Sequence, residues 1–148
     1  MNYEEIYSQF YTKQIDPDFF KKHSKTEAYE LMRDWLHSTV GMPHVRKCFS
    51  VIALDDEILE LTYELVNSID DDSDMFFVRD ILAQGMVICW MQQKIDKAVN
   101  LATVIGGKEE KIILNNYRNN MERLDKLELK LKKAIRDHEY YNGDIGEE

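Results

Sequence analysis

Three aspartates at alternate positions, Asp70, Asp72 and Asp74, have the spacing with which calcium-binding loops present their first ligands. The rest of such a loop is missing, because Met75 stands where a glycine must turn and Ile81 stands where a bidentate glutamate should follow. Aspartates before an apolar run also suit a helix N-terminus, where they accept hydrogen bonds and face the positive end of the dipole. We therefore expect a solvated, helix-capping acidic surface without a metal ion. This surface comprises Asp70, Asp71, Asp72 and Asp74.

The sequence GGKEE at residues 106–110 contains the only pair of adjacent glycines in the chain. A phosphate-binding loop needs further glycines and a serine or threonine after the lysine. Here two glutamates follow the lysine, and their carboxylates would repel a phosphate. Acidic residues suit the first turn of a helix, and glycine commonly ends the helix before it. We predict that Gly106 and Gly107 form a corner between two helices, with Lys108 at its exposed tip as a candidate partner contact.

The histidines, cysteines and tryptophans form no recognisable catalytic or metal-binding pattern. No HExxH or GxSxG motif occurs, and no Ser/His/Asp set can be assembled by spacing. Cys48 and Cys89 lie in apolar surroundings without CxxC spacing, so we favour buried reduced thiols over a disulfide or a catalytic thiol. Trp35 and Trp90 lie on apolar faces and are interpreted as core anchors. We therefore predict a protein that is not an enzyme and has no cofactor.

Length and composition indicate a single all-α domain. The chain has 148 residues, is 44% hydrophobic and 32% charged, and contains only 6 glycines and 2 prolines. No window is apolar enough to span a membrane, and the acidic start is unlike a signal peptide, so we expect a cytoplasmic location. The net charge of −9 argues against wrapping nucleic-acid phosphates. It leaves open a basic partner, or a surface that repels DNA.

The first half of the chain is predicted to form several helices between residues 3 and 66. Ser24 and Glu27 have the spacing of a capping box, which begins a helix that Gly41 and Pro43 should end. The apolar segment 44–54 fits either a helix or a strand. We predict a helix there, because no second strand is available for pairing. Residues 55–66 are also predicted to be helical, from the spacing of their apolar side chains.

The second half is predicted to form two long helices. Residues 75–105 are apolar nearly all round up to Met91, which is typical of the buried centre of a bundle. Gly85 lies inside this helix, where a glycine is tolerated if another backbone must come close. Residues 108–139 carry one apolar seam beside paired charges. The domain is therefore assigned to 1–139, and 140–148 to a short flexible C-terminal arm, interpreted either as a frayed end or as a segment that orders on a partner.

Four segments together resemble a family of small tailed-bacteriophage virion proteins that are encoded among head and neck genes. They are YSQFYTKQIDPDFF near the start, DILAQGMVICWMQQKIDKAVN, GGKEEK and LKKAIRDHEYYN, in this order. The resemblance covers residues 3–142. It implies a head–tail connector, or adaptor, that is made in the bacterial cytoplasm and is located in the virion neck.

The resemblance also implies partners and contact residues. Connector adaptors assemble as a homo-oligomeric ring under the portal protein, around the DNA channel, and bind a further neck or tail protein. Their C-terminal segments dock on the portal, which assigns this contact here to Tyr140, Tyr141 and Asn142. The acidic surface at 70–74 would then be a channel or ring-surface patch, which DNA passes without sequence-specific binding. The alternative is a small acidic phage-encoded regulator, an inhibitor or DNA mimic that binds a host protein.

Overall fold

The structure is a computed structural model that describes residues 1–13 and 19–147. Within these ranges, the side chains of Phe20, Ala102, Thr103 and residues 141–147 are not described. The elements are, in order, α1 (Tyr3–Lys13), α2 (Phe19–Lys22), α3 (Lys25–Val40), α4 (Pro43–Arg46), β1 (Phe49–Asp55), β2 (Glu60–Leu65), α5 (Asp71–Ile105) and α6 (Gly107–Glu147). The protein is therefore mostly helical and carries one small sheet.

The sheet is an antiparallel hairpin of β1 and β2, and the prediction of an all-α chain is wrong at this place. Phe49 pairs with Leu65, and Leu54 pairs with Leu61. Along β2 the burial alternates, because Leu61 and Leu65 are buried while their immediate neighbours are exposed. An apolar pair four residues apart fits both the helical period of 3.6 residues and the strand period of two residues, and here the segment forms a strand. Segment 44–54 was predicted as a helix because no second strand was recognised. Segment 55–66, which was also predicted as a helix, supplies that strand.

The beginning of the chain holds the free edge of β2. The Leu61 amide donates to the Met1 carbonyl at 2.8 Å, and the Met1 ammonium donates to the Leu61 carbonyl at 2.7 Å. The Tyr3 amide donates to the Leu59 carbonyl at 2.9 Å. Leu59 has a positive φ of 56° in the tight connection between the strands. These bonds satisfy backbone groups that an uncovered edge strand would leave unpaired.

Helix α3 begins and ends where the sequence predicts. The Glu27 amide donates to Ser24 Oγ at 3.2 Å, and the Ser24 amide donates to Glu27 Oε2 at 3.4 Å, which confirms the capping box. The helix ends at Val40, with Gly41 as its C-cap. Its buried face contains Met32, Leu36 and other side chains that the 3.6-residue period places together.

Helix α5 is the centre of the protein. It packs against α1, α3 and α6, and its residues from Ile81 to Ile88 are all buried. This arrangement confirms the predicted buried helix up to Ile95, whereas the described side chains of residues 96–105, assigned to the same buried helix, are not buried. The largest side chains of the core are almost completely buried. They are Tyr3, Ile6, Phe10, Met32, Leu36, Leu61, Ile81, Leu82, Met86, Met91, Ile95 and Leu131.

Gly85 lies where α5 crosses α3 most closely. A Cβ atom at this position would lie 2.1 Å from Thr39 Cγ2 and 2.9 Å from Thr39 Oγ1. Thr39 is fully buried, and its hydroxyl donates to the Trp35 carbonyl at 2.8 Å, so its side chain has a fixed rotamer. The glycine therefore permits a helix contact that any side chain would prevent.

Helix α6 runs antiparallel to α5 after the corner at Gly106 and Gly107, whose φ angles are 69° and 72°. Its 41 residues span roughly 60 Å. Leu124, Leu131 and Ile135 are buried, and the other positions of the predicted seam are half-buried where described. The backbone continues as a helix to Glu147, beyond the predicted end at 139, because no proline interrupts it. None of the helices in the described ranges has an apolar stretch long enough to span a lipid bilayer.

We predict that Gly85→Ala lowers the free energy of unfolding by about 2 kcal/mol, because the added methyl group must displace Thr39 in a packed core. This loss exceeds the gain of up to about 1 kcal/mol that alanine brings to an isolated helix. Chemical denaturation should show Thr39→Ala relieving part of the loss in the double variant.

Gly41→Ala is the matched control, since a Cβ atom there meets its nearest atoms at 3.5 and 3.6 Å. It should change stability little. Equal stability of Gly85→Ala and the wild type, or simple addition of the Gly85 and Thr39 effects, would contradict the proposed close contact.

Candidate functional site

The acidic surface at 70–74 forms the N-terminus of α5. Asp70 Oδ1 accepts from the Ser73 amide at 2.7 Å, and Asp70 Oδ2 accepts from the Ser73 hydroxyl at 3.1 Å. The hydrogen bond from the Ser73 amide is the largest cause that holds the pKa of Asp70 below its usual value. Asp71 and Asp72 are exposed beside it. Two of these carboxylates are thus free to form a solvent-facing acidic patch.

Asp74 has a different role from its neighbours, because it is buried. Its Oδ1 atom accepts from the Ile69 amide at 2.9 Å, and its Oδ2 atom accepts from the Ser68 hydroxyl. These bonds attach the chain that leaves β2 to the first turn of α5. Among the described residues, no three His, Cys, Asp or Glu side chains are arranged to hold a metal ion. The predicted acidic surface therefore divides into an exposed part and a structural part.

A polar cluster that sequence spacing does not reveal joins Tyr3, His37 and Asp56. The Tyr3 hydroxyl donates to Asp56 Oδ1 at 2.7 Å, and His37 Nε2 lies 2.9 and 3.0 Å from the two Asp56 oxygens. The Tyr3 hydrogen bond, followed by that of His37, lowers the pKa of Asp56. Burial, followed by the bond to Asp56, raises the pKa of Tyr3. The cluster connects α1, α3 and the β1–β2 turn. Because its pKa is raised, the Tyr3 hydroxyl keeps its proton and is a weak acid.

A second cluster lines a small cavity of about 120 Å³ at the end of the α5–α6 pair that lies away from the Gly106–Gly107 corner, which we call the foot of the pair. The His138 ring stacks on Phe77 with ring centroids 3.8 Å apart, and its Nε2 atom is buried without a hydrogen-bond partner. Burial lowers the pKa of His138. Cys48 also lines the cavity, and burial raises the pKa of its thiol to about 11. At neutral pH both groups are therefore uncharged, which makes Cys48 a weak nucleophile.

The two tryptophans both line a cleft of about 250 Å³ between α3 and α5. Both are more than nine-tenths buried. Trp35 packs against the Phe10 ring at 5.6 Å, and Lys94 Nζ lies 5.3 Å from the centre of the Trp90 ring. Cys89 lies on the same part of α5 and is a free thiol, as is Cys48. The tryptophans join the helices of the core and leave little ring surface for a ligand.

The far part of the α5–α6 pair, residues 96–123, extends beyond the core, and we call it the hairpin end. None of its described side chains is buried. Val104 is 83% exposed, Ile112 is 61% exposed and Leu101 is 49% exposed. Val99, Ile105 and Leu114 are exposed as well. Several large apolar side chains close together in water are typical of a surface that another chain covers.

Gly106, Gly107 and Lys108 lie at the tip of the hairpin end. Gly107 and Lys108 are exposed, and Gly106 is half-buried. Glu109 and Glu110 occupy the first turn of α6, where the helix dipole favours negative charge. The tip therefore offers a lysine beside two carboxylates, which does not suit a phosphate.

Tyr140 lies at the other end of α6 and is exposed. The side chains of Tyr141 and Asn142 lie outside those that the structure describes. Tyr140 is thus about 32 residues, or roughly 48 Å, from Lys108 along the helix. The two predicted partner contacts, Lys108 and Tyr140, do not form one site.

The hairpin end was not predicted from the sequence, because residues 75–105 were interpreted as one buried helix. One signal was present: apolar residues flank the seam on both helices, in the sequences NLATVI and IIL. A helix that is buried on one face only has no need of apolar residues on the flanks.

We predict that His138 makes the fold less stable as the pH falls below about 6.5, the ordinary pKa of histidine. The folded state keeps this ring neutral, so the unfolded state binds the proton first and is stabilised by it. Chemical denaturation between pH 8 and pH 5.5 should show a steeper loss of stability for the wild type than for His138→Phe. Parallel curves for the two proteins would contradict this role of His138.

No protein-family model, curated protein or solved structure matches this chain.

Proposed function

We propose that this protein works by assembling with other protein chains, as a head–tail connector, or adaptor, in the neck of a tailed bacteriophage. The observation that carries the proposal is the hairpin end, which places exposed apolar side chains on a pair of packed helices beyond the core. Such a projection has no use in a chain that acts alone, because water contact with apolar groups is unfavourable. An assembly protein can bury it against a neighbour.

The polar clusters support assembly over catalysis. Asp56 already binds both Tyr3 and His37, so this carboxylate holds three elements together. His138 and Cys48 lie in a cavity smaller than the 300–1,000 Å³ that is usual for a small-molecule site. The raised pKa of Cys48 keeps its thiol protonated at neutral pH, which disfavours nucleophilic chemistry.

The specific phage role is supported by the positions of the segments that carry the resemblance. The segment around Trp90 lies on α5, the glycine pair forms the corner, and the segment that contains His138 lies near the end of α6. These three segments follow one helical hairpin from its foot to its tip and back, and the first of the four segments begins on α1. A family signature that follows one structural unit is consistent with a shared assembly element.

The distribution of charge agrees with a place beside DNA. Asp71 and Asp72 are exposed, and the whole chain has a net charge of −9. An acidic ring surface would let DNA pass without binding its phosphates. In this proposal the copies form a ring under the portal, and the foot of α6 contacts the portal.

Negative-stain imaging of the protein mixed with portal rings from the same phage tests the proposal. We expect extra density on the tail-side face of the portal. Portal rings that remain bare, together with the absence of the protein from intact virions by mass spectrometry, would overturn the connector role.

We predict that Tyr140→Glu weakens portal binding at least tenfold, because a carboxylate replaces an exposed aromatic contact (about 1.4 kcal/mol in binding free energy). Leu129→Glu is the matched control, since Leu129 is exposed to a similar degree on the same helix. A binding assay on immobilised portal should leave the control unchanged. Equal binding of Tyr140→Glu and wild type would remove Tyr140 from the contact.

The second candidate is the acidic regulator or DNA mimic, and the acidic excess of the chain is the observation that favours it. A basic host protein would bind the acidic body, and the protein would be absent from virions. Mass spectrometry of purified virions separates the two candidates, because only the connector remains with the particle.

A further inference from the structure

The exposed apolar side chains of the hairpin end fall on two opposite faces. Leu101 and Ile112 are equally distant from the Gly106–Gly107 corner, so they lie level on the two antiparallel helices. Both project to the same side of the seam, and Val104 lies one turn from Leu101 on that side. The exposures agree with this placement, because Val104 and Ile112 are the most exposed of the apolar residues in the hairpin end. We call Leu101, Val104 and Ile112 the apolar face.

The opposite side of the hairpin end is less apolar. Val99 and Leu114 also lie level with each other, and both are less exposed than the three side chains of the apolar face. The two sides therefore differ, and the apolar face is the larger unfavourable surface in water.

The charge of the hairpin end differs from that of the rest of the chain. Residues 96–123 contain five basic and four acidic side chains, so the remaining residues carry a net charge of −10. Two copies of so acidic a body repel each other on contact. The hairpin end is nearly neutral, and it is the place where two copies meet with the least repulsion.

The length of the hairpin end keeps the two bodies apart. Ten residues of α5, from Asp96 to Ile105, extend about 15 Å past the last buried side chain, Ile95. Two hairpin ends that lie side by side would bring four helices together, an arrangement that buries apolar faces efficiently. A basic partner would bind the acidic body instead, and a membrane surface would favour a more basic hairpin end.

We propose that the apolar face binds the same face of a second copy of this chain. The contact is self-complementary, because Leu101, Val104 and Ile112 of one copy meet the same residues of the other across a two-fold axis. It therefore forms pairs of copies and is separate from the head-to-tail contacts that close a ring. The inference rests on the proposed assembly function. It assigns the hairpin end to contact between copies and leaves the portal contact to the foot of α6.

Sedimentation-equilibrium measurements from low micromolar to several hundred micromolar protein test this contact. The wild type should self-associate, and the double variant Val104→Lys/Ile112→Lys should associate at least tenfold more weakly, because four lysines would meet in the contact. Added salt should strengthen association of the wild type, since it screens repulsion between the acidic bodies.

The matched control is Ile58→Lys/Val66→Lys, which places the same charges on side chains of the sheet region that are 62% and 58% exposed. It should associate like the wild type, and circular dichroism should show that both double variants are folded. A monomeric wild type at the highest concentration, or equal weakening in both double variants, would overturn the proposal. Binding of the wild type to anionic phospholipid vesicles through Val104 and Ile112, without self-association, would also overturn it.

The outcome separates this inference from the proposed function. Wild-type protein that decorates portal rings but stays monomeric in solution and on the portal refutes the copy contact and leaves the connector role. Self-association that the lysine variant abolishes, with no portal binding, refutes the connector role and leaves the copy contact.

Discussion

The close approach of α3 and α5 at Gly85 and Thr39 is the constraint on which the rest of the fold depends. The absent side chain lets Thr39 fill the space against the α5 backbone, and the Thr39 hydroxyl is satisfied by its own helix. With α3 fixed at this distance, the Trp35 ring reaches the Phe10 ring of α1. One face of α5 is thereby covered, and α6 covers another. A larger separation of α3 and α5 would leave empty space beside the tryptophans, which packed interiors do not tolerate.

Helix α6 has two parts with different surroundings. From Leu124 to Ile135 its seam is buried against the body, so this part is held by the core. From Gly107 to Arg123 it contacts α5 and is not buried at any described side chain. The first part positions the second, because an α-helix without proline or an internal break is stiff over such a length. The body therefore acts as a rigid support for the hairpin end.

The sequence predicts those elements whose signals are local and unambiguous. The Ser24–Glu27 capping box, the apolar centre of α5 and the glycine corner each need only neighbouring residues for their interpretation. The β-hairpin was missed because Leu61 and Leu65 fit two periods, and the choice depends on pairing with a distant segment. The Tyr3–Asp56–His37 cluster has no signal in spacing, because tertiary packing alone brings three separate elements together. Recognition of the hairpin end depends on the exposed fractions of its side chains, which the sequence alone does not give.

The central position of α5 affects the order in which the chain can fold during synthesis. Residues 1–70 contain α1, α3 and both strands, yet Ile6, Met32 and Leu36 acquire their main covering only when α5 has been made. The bonds between Met1 and Leu61 likewise join residues that are 60 positions apart in the chain. Such long-range contacts raise the contact order and slow folding. The nascent first half therefore exposes apolar surface until residues beyond Ile95 have left the ribosome, and in that interval it is open to chaperone binding and aggregation.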